Sequence, residues 1–193
     1  MFGEIISQGF GMLFLLLMAG VPMAADQYEL LFDFGKTDSA NEWQIVNDGV
    51  MGGISQSQIK ITPEKTIEFF GRLSLENNGG FASFRSKSKN LNLKKGDTLA
   101  LRARGDGREY SLNLYTQRRL MAFSYRAMFT ANKDEWIEVR IPMDRFVATS
   151  YGQVVNDAPL DPEEIDGLGI LLADKKPGSF KLEIEWIKVI KAE

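Results

Sequence analysis

The chain has 193 residues, 44% hydrophobic and 25% charged, with a formal net charge of -3; this is the size and composition of one globular domain, too close to neutral to draw nucleic acid by bulk electrostatics. It contains no cysteine and no histidine, which removes disulfides, thiolate nucleophiles, Ser-His-Asp and Cys-His catalysis and the usual zinc ligands together. Carboxylate, lysine, tyrosine or cofactor chemistry is what such a chain retains, and neither a cofactor nor a metal is expected.

The N-terminus reads Phe10-Gly-Met-Leu-Phe-Leu-Leu-Leu-Met-Ala-Gly-Val21 and then Pro22-Met-Ala-Ala25, a short apolar stretch followed by small residues that a signal peptidase accepts. At about 16 residues it falls short of the roughly 20 of a spanning helix. Residues 1–25 are therefore expected to be a signal peptide or anchor, and 26–193 a single domain. No lysine or arginine precedes Lys36, whereas a mitochondrial presequence is amphipathic and arginine-rich. A mitochondrial matrix address is thus disfavoured. The expectation is export, periplasmic or secreted, or membrane contact through an uncleaved N-terminal segment alone.

Strands are expected at 29–34 and 43–46, after which the chain runs Asn47-Asp48-Gly49-Val50-Met51-Gly52-Gly53-Ile54-Ser55-Gln56-Ser57. Glycine reaches positive φ without a Cβ penalty, so the three glycines suggest a tightly curled backbone that fixes the directions of Asp48 and Met51. The segment is either an elaborate connection between two strands or a binding loop.

Further strands are expected at 58–62, 66–70 and 80–86. From there the period of two is clear: Leu99, Leu101 and Ala103, then Tyr110, Leu112 and Leu114, then Ile137, Val139 and Ile141 alternate with mostly polar neighbours. Gly105-Asp106-Gly107 reads as a hairpin turn with Asp106 bonded to its own backbone, and 121–129 is another strand. Asp161-Pro-Glu-Glu-Ile-Asp166 suits one turn of helix with proline just inside a capping aspartate. The acids Asp157, Asp161, Glu163, Glu164 and Asp166 lack the spacing of a calcium loop. Leu168-Gly-Ile-Leu-Leu172 is apolar on both faces, as a strand in mid-sheet is. The last strand, 180–190, carries Phe180, Leu182, Ile184 and Trp186 on one side and then shifts phase to Ile187 and Val189, which predicts a bulge.

About ten strands without helical layers give an all-β fold, an antiparallel β-sandwich of jelly-roll type. Were the strands bearing Arg102 and Arg104, Asn113 and Tyr115, Ser124 and Arg126, and Glu138 and Arg140 to share a sheet, their outward side chains would form one arginine-rich surface. That surface is either a recognition face or the solvated side of an ordinary antiparallel sheet.

The wording Val46-Asn-Asp-Gly-Val-Met-Gly-Gly-Ile-Ser55 resembles the signature of the complex I intermediate-associated protein 30 family. Similar blocks follow in order: Leu73 to Ser83, Leu101-Arg-Ala-Arg-Gly-Asp-Gly-Arg-Glu-Tyr110, Tyr125 to Phe129, Trp136 to Pro142 and Gly167 to Asp174. The resemblance covers about Leu31 to Val189 and implies a galactose-binding-domain-like β-sandwich and, by analogy with mitochondrial members, help in assembling respiratory complex I. It also raises interest in Arg104, Asp106 and Arg108.

Three functions are compatible with these readings. The first is a non-catalytic module that binds a protein partner through Asn47, Asp48, Met51, Ser55, Arg104, Asp106, Arg108, Tyr115 and Arg126. The second is a carbohydrate-binding module using Trp43, Tyr115 or Trp136. The third is an enzyme with Asp48 and Asp106 as paired carboxylates, which no spacing supports. On the first reading, changing Asp48 and Arg104 together to alanine is expected to abolish partner recovery with the thermal transition nearly unchanged.

Overall fold

Two antiparallel sheets face each other across one core in the computed structural model, which describes residues 27–35, 39–117 and 123–192. The N-terminal stretch read as a signal peptide or anchor lies outside the described residues. Among the described residues, no helix is long and apolar enough to cross a membrane.

The strands, numbered in chain order, are β1 Tyr28–Asp33, β2 Trp43–Ile45, β3 Gln56–Ile61, β4 Ile67–Leu73, β5 Ala82–Ser86, β6 Thr98–Arg104, β7 Glu109–Thr116, β8 Phe123–Thr130, β9 Ile137–Pro142, β10 Val147–Ser150, β11 Gln153–Val154, β12 Ile165–Leu172 and β13 Gly178–Ile190. A six-stranded sheet runs β3-β4-β13-β6-β9, with β1 also on β13; a seven-stranded sheet runs β11-β10-β8-β7-β12-β5-β2. This is the antiparallel sandwich that the alternation predicts.

Alternation fills the core. Leu99, Leu101 and Ala103 of β6 and Phe180, Leu182 and Ile184 of β13 meet Leu112 and Leu114 of β7 and Leu168 and Ile170 of β12. Phe69, Phe84, Trp43 and Phe32 stack at centroid distances of 4.7 to 5.0 Å along one side. β12 is buried along its whole length because it lies between β7 and β5. The phase shift in β13 is a bulge between Ile184 and Trp186. Its effect corrects one expectation, because Trp186 leaves the core side and comes under the ammonium of Lys188, 4.1 Å from its centroid.

Two other readings change. The strands β10 and β11 escape the sequence pattern because a two-residue turn joins them, Tyr151 (φ 47°) and Gly152 (φ 76°); positive φ at both positions belongs to a type I′ turn, for which tyrosine is not the usual signal. Gly105-Asp106-Gly107 is no hairpin. β6 and β7 lie in different sheets, so the turn carries the chain across the sandwich, although Asp106 Oδ1 does accept from Arg108 N at 3.1 Å. The expected capped turn is present as Pro162–Glu164, with Asp161 accepting from Glu163 N at 3.1 Å.

Candidate functional site

Register places the loops that carry most of the candidate residues at one end of the sandwich. Gln56 starts β3 opposite Arg72, Leu172 ends β12 opposite both Ala82 and Tyr110, and Gly178 starts β13 opposite Leu73. The 46–55, 74–81, 105–108 and 173–177 segments therefore share that end.

Asp48 opens the 3-10 turn Asp48–Met51, which Gly52 closes at φ 90°. Its carboxylate is wholly buried and accepts from Ser55 N (2.9 Å), Ser55 Oγ (2.5 Å), Gly80 N (2.7 Å) and Phe81 N (3.3 Å). Burial alone raises its pKa, but the Ser55 hydroxyl and the Gly80, Ser55 and Phe81 amides outweigh that and hold it below the ordinary aspartate value. A Cβ on Gly53 would stand 2.4 Å from Asp48 Cγ, so the close approach, and not a positive φ, is what requires glycine there. Asn47 repeats the device: its Oδ1 accepts from Ser57 Oγ (2.7 Å) and Ser83 N (3.4 Å). Asn47, Asp48 and Ser55 are thus turned inward as braces. On the outside of the same two loops Val50 (74% exposed), Met51, Ile54 and Leu75 face water.

Asp106 and Arg108 are braces as well. Asp106 accepts from Arg108 N, Tyr110 Oη and Lys181 N. Arg108 forks onto Asp174, Nε to Oδ2 at 2.9 Å and Nη2 to Oδ1 at 2.6 Å, and also donates to the carbonyls of Lys176 and Ser179. Burial opposes the charge on both partners, yet their mutual hydrogen bonds leave the Arg108 pKa raised and the Asp174 pKa lowered. Asp48 and Asp106 are each consumed by separate networks and do not form a catalytic pair.

The arginine-rich surface imagined from the sequence divides in two. Arg102, Arg104, Glu138 and Arg140 lie in the six-stranded sheet and Asn113, Tyr115, Ser124 and Arg126 in the seven-stranded sheet, so they look outward on opposite sides of the molecule. Arg104 does not share a surface with Tyr115 and Arg126, nor with Asp48. On the six-stranded face every one of these charges is answered: Arg104 with Glu183 (2.8 Å), Arg102 with Glu185 (3.0 Å), Arg140 with Glu138 (2.7 Å), and the Trp136 ring lies 4.8 Å from the Arg104 guanidinium.

The seven-stranded face is built differently. Cross-strand register aligns Gln44, Arg85, Gly169, Asn113, Arg126 and Val147 in one row. Beneath the arginines runs a buried polar chain: Ser111 Oγ donates to Asn113 Oδ1 (2.9 Å), Asn113 Nδ2 to Ser124 Oγ (3.3 Å), and Thr149 Oγ1 to the Ser124 carbonyl (3.1 Å). Arg85 was not among the residues singled out from the sequence. Its signal lay one strand away, in Gly167-Leu-Gly169: without side chains at these outward positions, Arg85 crosses β12 and places its guanidinium 4.8 Å from the Tyr115 ring. Desolvation lowers the Arg126 pKa, partly countered by Tyr115.

Of the aromatics considered for sugar stacking, Trp43 is in the core, Tyr115 is covered by Arg85 and Trp136 by Arg102 and Arg104. Two open recesses, of about 270 and 380 Å³, lie at the end opposite the glycine-rich loop, around Phe32, Lys87 and Lys89 and around Ser88, Gln117 and Asp166.

Residues 32–184 match the family model described as Complex I intermediate-associated protein 30. The chain is 28% identical over 186 residues to the mitochondrial protein of that name from Mus musculus, covering 85% of this chain and 56% of that protein. It is 25% identical over 182 residues to the Drosophila melanogaster one, with 82% and 62% covered. The chain thus spans little more than half the length of these relatives. The family 11 carbohydrate-binding module of a cellulosomal cellulase of Clostridium thermocellum has the same fold, at TM-score 0.64 and 17% identity over 88% of this chain and 97% of that one. Four relatives that match, from mouse, fruit fly and two nematodes, are named as mitochondrial, and that overturns the expectation of export with a disfavoured mitochondrial matrix.

Proposed function

The chain belongs to the complex I intermediate-associated protein 30 family, and from that premise we propose that it is a non-catalytic module that binds a protein partner during assembly of a respiratory complex. The observation that supports this most directly is the build of the glycine-rich end. A buried carboxylate with four donors fixes the loop, while Val50, Met51 and Ile54 are held in water, 74%, 49% and 49% exposed. Holding apolar side chains out on a rigid frame reduces the ordering cost of binding and is how docking surfaces are made. Methionine adapts its shape to a partner at little cost. The carbohydrate alternative keeps the support of the shared fold only, since the three aromatics considered for it are covered or buried.

The test is partner capture from the host with Val50→Asp and Met51→Asp variants. Both residues are exposed, so the thermal transition should move little while recovery of the partner falls. Undiminished recovery from both variants would remove the loop from the interface. Capture of a glycan with no protein would favour the sugar-binding reading.

A further inference from the structure

The outer face of the seven-stranded sheet holds two guanidinium groups that form no ion pair among the described residues. Arg85 Nε and Arg126 Nε are buried and have no hydrogen-bond partner among the described residues. Each described ion pair of the chain lies elsewhere. A desolvated donor left unpaired is a cost to folding, greater when charged, and the contact of Arg85 with the Tyr115 ring offsets it only in part. Three strand spacings of about 4.8 Å separate their backbones, but both neighbour Tyr115: Arg85 lies over its ring at 4.8 Å, and Arg126, paired with Asn113, is on a cross-strand diagonal to it and feels its electrostatic influence.

What flanks them is apolar. Met128 follows Arg126 by two along β8, and Val147 pairs with Arg126 from β10, so both share its face; they are 51% and 46% exposed. Arginine and tyrosine beside methionine is an interface composition, and a forked guanidinium matches a planar carboxylate. We propose that this face is a carboxylate-recognition site, in which Arg126 and Arg85 take the side chain of an aspartate or glutamate on a protein partner while neighbouring apolar residues of that segment pack on Met128 and Val147. This deepens the protein-binding reading by adding a second surface and the chemistry of its ligand, yet it does not need the glycine-rich loop.

The experiment titrates the full chain with a labelled dodecapeptide alternating glutamate and leucine, with the same peptide bearing glutamine for glutamate, with inorganic phosphate and with polygalacturonate. The glutamate peptide should bind, and Arg126→Gln or Arg85→Gln should weaken it by about tenfold or more. Arg126→Lys, which keeps the charge and loses the fork, should recover only part of that. Arg102→Gln on the opposite face should leave it within about twofold. Equal binding of the glutamine peptide, equal loss in Arg102→Gln, or binding of phosphate or polygalacturonate in preference to the peptide would each overturn the proposal. Met51→Asp separates the two readings: it should leave peptide binding intact while reducing capture of the natural partner.

Discussion

Asp48 at the glycine-rich end and Arg126 on the seven-stranded face are both ionisable groups drawn out of water, and both stood out from the sequence as candidates to touch a partner. The structure treats them oppositely. Asp48 is given four donors from three residues, whereas Arg126 Nε is given none among the described residues. A buried charge whose partners all belong to its own chain is a brace. One that its chain leaves unanswered is a cost to folding, and the compensation has to come from outside. Saturation, more than residue type, separates structure from recognition here, and the changes below should break the comparison if it is false.

The largest effect is expected for Asp48→Ala. Removing the carboxylate strands the Ser55, Gly80 and Phe81 amides, and the loss should be about 4 kcal/mol in chemical denaturation. This corrects the expectation that Asp48 and Arg104 could be changed together without moving the thermal transition. A cost under about 1 kcal/mol would show that Asp48 does not brace the loop. Gly53→Ala comes next, because its Cβ would overlap Asp48 Cγ at 2.4 Å; overpacking of this kind costs about 2 kcal/mol, and it should shrink in an Asp48→Ala background, where Cγ and Oδ1 are gone and only the Cβ, at 2.8 Å, remains in the way.

Acid should act on the same brace. The Asp48 and Asp174 pKa values are lowered in the folded chain, so their contribution is fully present above the unfolded value of about 4 and is lost as pH falls through the lower folded values. Denaturation midpoints should hold from neutral pH down to about pH 4 and decline below it, and Asp48→Asn should flatten that decline. A midpoint that falls between pH 7 and 5 would point to groups other than these carboxylates.

Much of this was legible beforehand, and the reason is period. Alternation in β6, β7 and β9, the all-apolar β12 and the phase shift in β13 are local patterns, and the sandwich follows from them. The glycine-rich segment was also legible as a shaped loop. Its chemistry was not, because whether Asp48 faces in or out depends on Gly80 and Phe81, about thirty positions away. The arginine surface failed for a related reason: alternation says which residues share the face of one strand, but not which strands share a sheet, and β6 and β9 turned out to lie opposite β7 and β8. Arg85 was missed because what matters about it is the bare backbone of Gly167 and Gly169, and a glycine in a strand advertises the space above it only once its neighbours are known.

The smallest effect on stability carries the sharpest contrast. Arg104→Met removes a partner of Glu183, which stays nearly buried beside Lys181, and should cost about 1 kcal/mol, as a partly exposed ion pair does. Arg126→Met removes a desolvated group whose Nε has no hydrogen-bond partner among the described residues and supplies apolar volume beside Met128 and Val147, so the melting temperature should stay level or rise. Residues kept at the expense of stability are the mark of a working site. Were Arg126→Met to lower the melting temperature more than Arg104→Met, Arg126 would be holding the sheet together, and the two outer faces would differ in degree and not in kind.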